Sequence, residues 1–256
     1  MPSLDLTIAL GADGASRLAR RRVAYPWSVG RGYPGKPGEP LTVIPQVAGA
    51  GLLAGDHVLQ RIHVAQDAAL RLQSAGAMLT YGTPGGPACR TDWALDVEAG
   101  ARAFVISEPY VLFPDAGLRL RQTITISPGA RVVACEGMVS APGASTSEWQ
   151  TETLVQRPDG TLLFRDRQRA SAEMLATNAG LPGGWTAFGT VLVLTPDAQR
   201  MRAVIEATVR ATTSPASVGV APLPRGLGVC ARIAAPDGQT LRDALFGMSS
   251  AALLCA

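Results

Sequence analysis

Two histidines, His57 and His63, are the only imidazole side chains in this sequence, and Asp56 directly precedes the first. A carboxylate beside a histidine can orient the ring for acid–base chemistry, so a small all-β hydrolase using Asp56 and His57 is one functional hypothesis. Adjacent residues of a strand point to opposite faces, however, which would separate this pair. Structural roles for both histidines are therefore favoured, and the sequence predicts no catalytic residue and no enzyme.

Metal-ligand spacing is also missing from the sequence. Six residues of extended strand span about 20 Å, so His57 and His63 would lie too far apart to share one ion. The cysteines are scattered and form no C-x-x-C pair: Cys89, Cys135, Cys230 and Cys255. Because zinc and nickel favour clustered imidazole and thiolate ligands, the sequence predicts no tightly bound metal or other cofactor.

A glycine-rich segment, residues 30–36 (GRGYPGK), matches the glycine spacing of phosphate-binding loops. A P-loop needs a serine or threonine after the lysine to ligate Mg²⁺, and Pro37 has no hydroxyl. The prolines of this segment also remove backbone N–H donors and favour extended backbone, where a phosphate site would need the start of a helix. The segment is therefore predicted to be a loop that binds no nucleotide.

Composition indicates which partners and compartment to expect. The net charge is only +3, and aromatic residues make up 5% of the chain, too few for platforms that stack nucleic-acid bases. No uncharged apolar run reaches the roughly 18 residues that cross a bilayer, and no basic segment followed by an apolar run opens the chain. A cytoplasmic protein with free thiols, bound to neither nucleic acid nor membrane, is expected.

One dense basic segment stands out near the start of the chain. It consists of Arg17, Arg20, Arg21 and Arg22. Guanidinium groups pair well with carboxylates and phosphates, so the segment could contact an anionic partner. The alternative is an exposed strand face, which the flanking apolar residues favour.

A weak internal repeat is the main indication of fold class. The segments 67–71, 98–102 and 127–131 resemble one another, and each lies between two runs that read as strands. The clearest of these runs, residues 118–126, alternates apolar and polar side chains and therefore predicts one buried face and one exposed face. A strand, a tight turn and another strand, recurring about every 30 residues, are typical of a stacked β architecture.

Helix signals occur only towards the end of the chain. Thr195 and Pro196 form a helix start, and apolar residues then recur at helical spacing, which predicts a helix over residues 196–210. The tail from Thr240 has a similar pattern. The predicted fold is therefore mainly β, a β-helix-like stack of short strands with about two α-helices in the C-terminal third, and no linker divides the single domain, residues 1–256.

Several segments, in order along the chain, resemble the UreD (UreH) family of urease accessory proteins. The matching segments are residues 16–18 with 25–28, 51–56, 72–81, 108–113 with Gln122, 130–136 and 159–167. The resemblance covers about 150 residues. It departs from the family pattern at Leu79 and Thr80, where a lysine usually precedes the tyrosine, at Gly143 and Ala144, and over the C-terminal third.

This resemblance implies a mostly β, helix-like stack of strands with two helices. It also implies a non-catalytic adaptor that binds a UreF-type all-α accessory protein, reaches a UreG-type GTPase through it, and docks on apo-urease. The implied work is to carry Ni²⁺ transiently through an internal passage to the dinickel site of urease. A β-solenoid interaction module unrelated to urease is the further alternative.

The resemblance also selects candidate site residues at motif positions. Asp56, Glu108 and Glu136 are candidates for lining the ion passage; the alternative for each is a turn or strand-end carboxylate bonded to backbone N–H groups. Glu136 lies in an apolar run, where a carboxylate is costly unless it has a partner or a task. The candidates for partner contacts are Arg17, Tyr25, Trp27, Tyr81, Gln122, Asp166 and Arg167.

Overall fold

The computed structural model describes residues 1–178, 180, 184–211 and 215–254, and two large β-sheets dominate this part of the chain. Cys255, one of the four predicted thiols, lies outside the described residues. None of the described helices is long and apolar enough to cross a membrane.

Sheet one has seven strands. In spatial order they are β15 (Leu162–Ser171), β14 (Glu148–Gln156), β12 (Gly117–Ile126), β9 (Cys89–Val97), β6 (His57–Val64), β1 (Leu4–Leu10) and β2 (Ser16–Val23). The five inner strands run parallel to one another, and the two edge strands pair antiparallel to their neighbours.

Sheet two faces sheet one and has nine strands. Its main path is β17 (Ser217–Pro222), β18 (Gly228–Ala235), β16 (Ala187–Leu194), β13 (Arg131–Ser140), β10 (Arg102–Ile106), β7 (Ala69–Gln73) and β4 (Leu41–Val43), with β11 (Tyr110–Leu112) and β8 (Met78–Thr80) beside it. A separate small ribbon joins β3 (Trp27–Val29) and β5 (Pro45–Val47).

The chain crosses repeatedly from sheet one to sheet two, as β6 to β7, β9 to β10 and β12 to β13, and each crossing stacks on the previous one through parallel pairing. The result is a mainly β protein with a β-solenoid of about four turns. The predicted fold class is confirmed.

The alignment of the first copy of the sequence repeat differs from the pairing of the strands. The repeat aligned Arg71 with Arg102, but the strands pair Ala69 with Arg102 and Arg102 with Arg131. The cause lies in the turns before these strands, whose left-handed residues occupy equivalent positions: Asp67 (φ 59°), Gly100 (φ 67°) and Gly129 (φ 75°). The turn, and not the similarity of Asp67 to Glu98, decides which residues pair.

Alternating apolar side chains fill the space between the sheets. On β12, Leu118, Leu120 and Ile124 are buried while Arg119 and Arg121 are exposed, as the alternation predicts. The strands β16 and β18 are apolar on both faces because sheet one covers one side of sheet two and helices cover the other.

The described residues form three helices, α1 (Ala172–Thr177), α2 (Ala198–Ala211) and α3 (Gly238–Leu254), with a short 3₁₀ turn at Pro224–Gly226. The two long helices confirm the prediction, and the short α1 was not predicted. Helix α2 begins later than expected because Asp197, and not Thr195, caps it: the Asp197 carboxylate accepts the Arg200 N–H at 3.3 Å. Helix α3 packs closely on sheet two, where Gly189 leaves room for Leu241.

Replacing Asp237 by alanine is expected to lower the free energy of unfolding by about 1 kcal/mol. Asp237 precedes α3, and its carboxylate accepts the Thr240 N–H at 2.7 Å, which also holds the pKa of that carboxyl below its usual value. Urea denaturation measures the loss. Asp237→Asn keeps an acceptor and should retain most of the stability, so an equal loss in both variants would contradict a capping role.

Candidate functional site

Glu136 is a buried carboxylate between the two sheets. It lies on β13 on the same side as Val132 and Ala134, facing sheet one, and only 5% of the residue is exposed. Gln122 of β12 donates a hydrogen bond to its Oε2, and the Thr151 hydroxyl of β14 lies 3.3 Å from both carboxylate oxygens. The amide of Gln168 on β15 lies 3.5 Å from Oε1. Side chains from three strands of sheet one therefore converge on this single acid.

Burial controls the protonation of Glu136. Loss of solvent raises the pKa of its carboxyl from the usual 4.5 to about 7, and the nearby Asp166 carboxylate acts in the same direction. The hydrogen bonds from Thr151 and Gln122 and the positive charge of Arg232 partly oppose this rise. The group can therefore exchange a proton near neutral pH.

A second set of polar side chains extends the hydrogen bonds around Glu136 towards the surface. Arg232 of β18 donates to the Asp166 carboxylate at 2.8 Å, and Gln168 donates to the other oxygen of Asp166 at 2.7 Å. The Gln168 carbonyl oxygen accepts the Thr190 hydroxyl at 3.2 Å. Because the Arg232 side chain is 36% exposed, this network connects Glu136 with solvent on that side.

Three adjoining cavities lie along the interior. An outer cavity of about 420 Å³ is lined by Trp27, Gln60, Glu108 and their neighbours. It shares Trp93, Ser107 and Tyr110 with an inner void of about 20 Å³, which contacts Gln122 and Glu136. A second inner void of about 10 Å³ shares Gln122, Ala134 and Glu136 with the first and also contacts Asp166 and Cys230. Glu136 therefore borders both inner voids.

Glu108 borders the outer cavity. Its carboxylate accepts the Arg242 Nε–H of α3 with both oxygens at 2.9 Å, and its side chain is 12% exposed. The backbone N–H of Glu108 donates to the Ser74 hydroxyl at 2.6 Å. The carboxylate is thus fixed by a side-chain guanidinium and not by the backbone N–H groups of a turn.

Asp56 occupies a different place. Its carboxylate accepts the Leu53 N–H at 2.8 Å in the turn before β6, and it is not among the residues that line the three cavities. This contact is the one that the turn alternative expects. A passage role for Asp56 stays a prediction.

The hydrolase hypothesis finds no support in the placement of its two residues. His57 bonds to Asp92 at 2.6 Å, and both side chains are about half exposed on the outer face of sheet one. His63 likewise lies near Glu98, at 3.2 Å. Asp56 is bonded to backbone and is not the residue that orients His57.

Five of the predicted partner-contact residues lie at or near the surface. Tyr25 is 76% exposed, and Trp27 lines the outer cavity. Tyr81 stacks on Phe113 with ring centroids 4.7 Å apart. Arg17 pairs with Asp13, and Arg167 with Glu152.

Gln122 and Asp166 are placed differently from that expectation. Both side chains line the second inner void, where Gln122 bonds to Glu136 and Asp166 bonds to Arg232. The reason is strand alternation: Gln122 has the same parity on β12 as the buried Leu120 and Ile124.

The side chains of the interior are poor resident ligands for a soft or borderline metal. Within the described part of the chain, no three His, Cys, Asp or Glu residues are grouped closely enough to hold an ion. Burial raises the pKa of the Cys230 thiol to about 11, so this thiol is protonated at neutral pH. The available donors are the oxygens of Glu136, Asp166 and their amide and hydroxyl partners.

Several interior residues were not predicted from the sequence. Thr151, Gln168, Thr190 and Arg232 were not selected, although Thr151 and Gln168 contact Glu136, Thr190 donates to Gln168, and Arg232 pairs with Asp166. A signal existed for two of them: Thr151 lies at an inward position between Trp149 and Val155 on β14, and Arg232 interrupts the apolar strand β18.

The stability of the chain is expected to fall by about 2–3 kcal/mol between pH 5 and pH 8 because of Glu136. The folded-state pKa of about 7 lies above the usual 4.5, so in this range the folded state holds more protons than the unfolded state, and ionisation then opposes folding. Urea denaturation at several pH values measures the profile. Glu136→Gln should remove this component, and identical profiles for both proteins would contradict it.

Comparison with known proteins agrees with this architecture. Residues 2–254 match the family model described as UreD urease accessory protein. Urease accessory protein UreD 3 of Bradyrhizobium sp. (strain ORS 278) is 34% identical, over 95% of this chain and 88% of the relative. A UreD 1 protein of Bradyrhizobium sp. (strain BTAi1) is 35% identical over 91% and 84%.

A more distant relative gives the same result. The UreD 1 protein of Methylorubrum extorquens (strain PA1) is 31% identical, over 90% of this chain and 81% of the relative. The matches extend through the C-terminal third, where the sequence motifs were weak, so the similarity includes α2 and α3 as well as the solenoid. These relatives are named as accessory proteins and not as enzymes. The chain therefore belongs to the UreD family of urease accessory proteins.

Proposed function

We propose that this chain passes Ni²⁺ to apo-urease through the interior between its two sheets, without being an enzyme itself. The observation that carries the proposal is the row of three adjoining cavities, with Glu108 at the outer one and Glu136 between the two inner ones. Family membership supports a role in urease maturation, and the interior supplies a route with oxygen ligands.

The arrangement of the acids suits transfer better than storage. Glu108 and Glu136 border different cavities, and Asp166 lies further along the row, so no ion would meet all three carboxylates together. Arg242 and Arg232 offset the charge of the first and last acids. Weak, successive oxygen contacts allow a nickel ion to leave each position, which clustered thiolates or imidazoles would prevent.

The size of the inner voids sets a further condition. Each is about as large as one water molecule. A hydrated ion is larger, so the ion would exchange part of its hydration shell for the oxygens of Glu136, Gln122 and Thr151. Glu136 would accept the ion as a carboxylate, and its raised pKa makes proton loss part of that step at neutral pH.

The partners in this proposal are a UreF-type all-α protein, a UreG-type GTPase that reaches the chain through it, and apo-urease. The surface near the outer cavity offers apolar and aromatic groups for such a contact, among them the exposed Tyr25 and the half-buried Trp27. We place this work in the cytoplasm. The three described cysteines are free thiols, which suits a reducing compartment.

The test compares urease co-expressed with the other accessory proteins in the presence and in the absence of this chain. Urease purified from each strain is assayed for nickel per active site and for activity. We expect nickel-loaded, active urease only when the chain is present, at equal amounts of urease protein. Equal nickel loading in the two strains would overturn the proposal.

A further inference from the structure

The outer face of sheet one, opposite to the interior, carries a groove of about 740 Å³ rich in arginine. We call it the arginine groove, and its main lining residues are Arg90, Arg119, Arg121, Glu152, Arg167 and Arg169. These side chains come from the four strands at one end of the sheet, β9, β12, β14 and β15, and strand pairing fixes their relative positions.

The groove concentrates positive charge. Five arginines line it against two carboxylates, Asp92 and Glu152, which leaves an excess of three positive charges. That excess equals the net charge of the whole chain, +3. The charge of the protein is therefore balanced elsewhere and unbalanced at this face, which is the electrostatic condition for attracting an anionic partner.

The acids of the groove neutralise only some of its arginines. Glu152 accepts hydrogen bonds from both Arg165 and Arg167, and lies 3.6 Å from Arg121. Asp92 is bonded to His57, and Arg169 pairs with Glu148 beside the groove. Arg90 and Arg119 form no ion pair within the described part of the chain, and both are exposed residues on neighbouring strands, paired in register. Their guanidinium groups are available for an external carboxylate.

The spacing of the arginines matches an extended peptide. Arg119 and Arg121 lie two residues apart on β12, and Arg167 and Arg169 lie two residues apart on β15. Side chains two residues apart on a strand repeat about every 6.8 Å, and an extended peptide presents alternate side chains with the same period. Carboxylates at every second residue of such a peptide would meet a guanidinium at each step. Arg90 and Arg119 could take a carboxylate in the bidentate geometry that arginine favours, while Arg121, Arg167 and Arg169 would share theirs with Glu152 and Glu148.

We propose that the arginine groove binds an extended acidic segment of a partner protein, with carboxylates at alternate positions. Nucleic acid suits the groove less well, because no aromatic residue among those described lines it for base stacking, and Asp92 and Glu152 would repel a continuous phosphate backbone. The groove lies on the opposite face of sheet one from Glu136, so this inference stands apart from the proposed passage of nickel.

The test uses fluorescence anisotropy with the full chain and a labelled peptide of about eight residues, in which aspartate alternates with serine. A peptide with asparagine in place of aspartate is the neutral control, and a single-stranded oligothymidylate of equal charge probes for nucleic acid. At low ionic strength we expect the acidic peptide to bind, the neutral peptide not to bind, and added salt to weaken binding. Tighter binding of the oligonucleotide than of the acidic peptide would overturn the proposal.

Variants locate the binding. Arg90→Gln with Arg119→Gln should weaken acidic-peptide binding about tenfold without breaking an ion pair of the fold. The matched control, Arg202→Gln with Arg210→Gln, removes the same charge from α2, where both arginines pair with Glu206. We expect affinity close to wild type for this control. Equal weakening in both double variants would show attraction to net charge alone and would overturn a specific groove; thermal unfolding of each variant verifies that it is folded.

Discussion

Urease co-expressed with the Glu136→Gln variant is expected to contain about tenfold less nickel than urease co-expressed with the wild-type chain. The substitution keeps the shape of the side chain and its place beside Gln122 and Thr151 but removes the carboxylate charge. An amide oxygen binds Ni²⁺ more weakly than a carboxylate and cannot exchange a proton for the ion, so passage past both inner voids should slow.

Measuring the stability of the variant distinguishes a loss of nickel transfer from a disturbance of the fold. The buried carboxylate opposes folding once it is ionised, as its pKa of about 7 indicates, so the glutamine variant should be at least as stable as wild type at pH 8. Glu206→Gln on the exposed face of α2 is the matched control and should support normal nickel loading. Full loading with Glu136→Gln would rule out the passage role, and loss of both stability and loading would indicate a structural role.

Trp149→Ala is expected to lower the free energy of unfolding by about 3–5 kcal/mol. Trp149 lies on β14 of sheet one with no exposed surface, and its ring meets that of Phe188 on β16 of sheet two in a T-shaped contact, with centroids 6.1 Å apart. The indole therefore spans the space between the sheets, and its removal leaves a large cavity at the point where both sheets must pack. Urea denaturation of purified wild-type and variant chains gives the difference.

Trp149→Phe distinguishes loss of packing from loss of hydrogen bonding. The Trp149 Nε1 atom is buried and has no hydrogen-bond partner among the described residues, so phenylalanine removes no hydrogen bond seen there and keeps part of the aromatic contact with Phe188. We expect a clearly smaller loss for this variant than for alanine. An equal loss of stability in the two variants would contradict this account, because it would mean that the indole N–H contributes more than the packing of the ring.

The positions of strands in the sequence and their buried faces could be derived from local patterns of residues, but the pairing between strands could not. The alternation in residues 118–126 predicted which side of β12 is buried, since a strand has a two-residue period wherever it lies. The repeat predicted the stacking of turns but misaligned its first copy, because Asp67 adopts the left-handed conformation that glycine supplies in the other two turns. Sequence similarity contains no direct record of that backbone conformation.

Individual residues of the candidate site could be predicted from the sequence, but the contacts between them could not. A carboxylate within the apolar run of β13 singled out Glu136, and family motifs singled out Glu108. Neither observation gave their neighbours: Glu108 meets Arg242, 134 positions away in the sequence, and Glu136 meets side chains of three other strands. Gln122 was expected at a partner surface, although its parity on β12 already assigned it to the interior.

The sequence by itself determined the class of fold, the two long helices and the family, because each depends on patterns within short segments or on the order of those segments. The tertiary structure decided where the row of cavities runs, which polar side chains meet Glu136, and which arginines share the outer face of sheet one. These depend on strand order and register between residues far apart in the chain. Such contacts are fixed only when the strands pair in their final register, since a shift of one residue would turn each of these side chains to the other face.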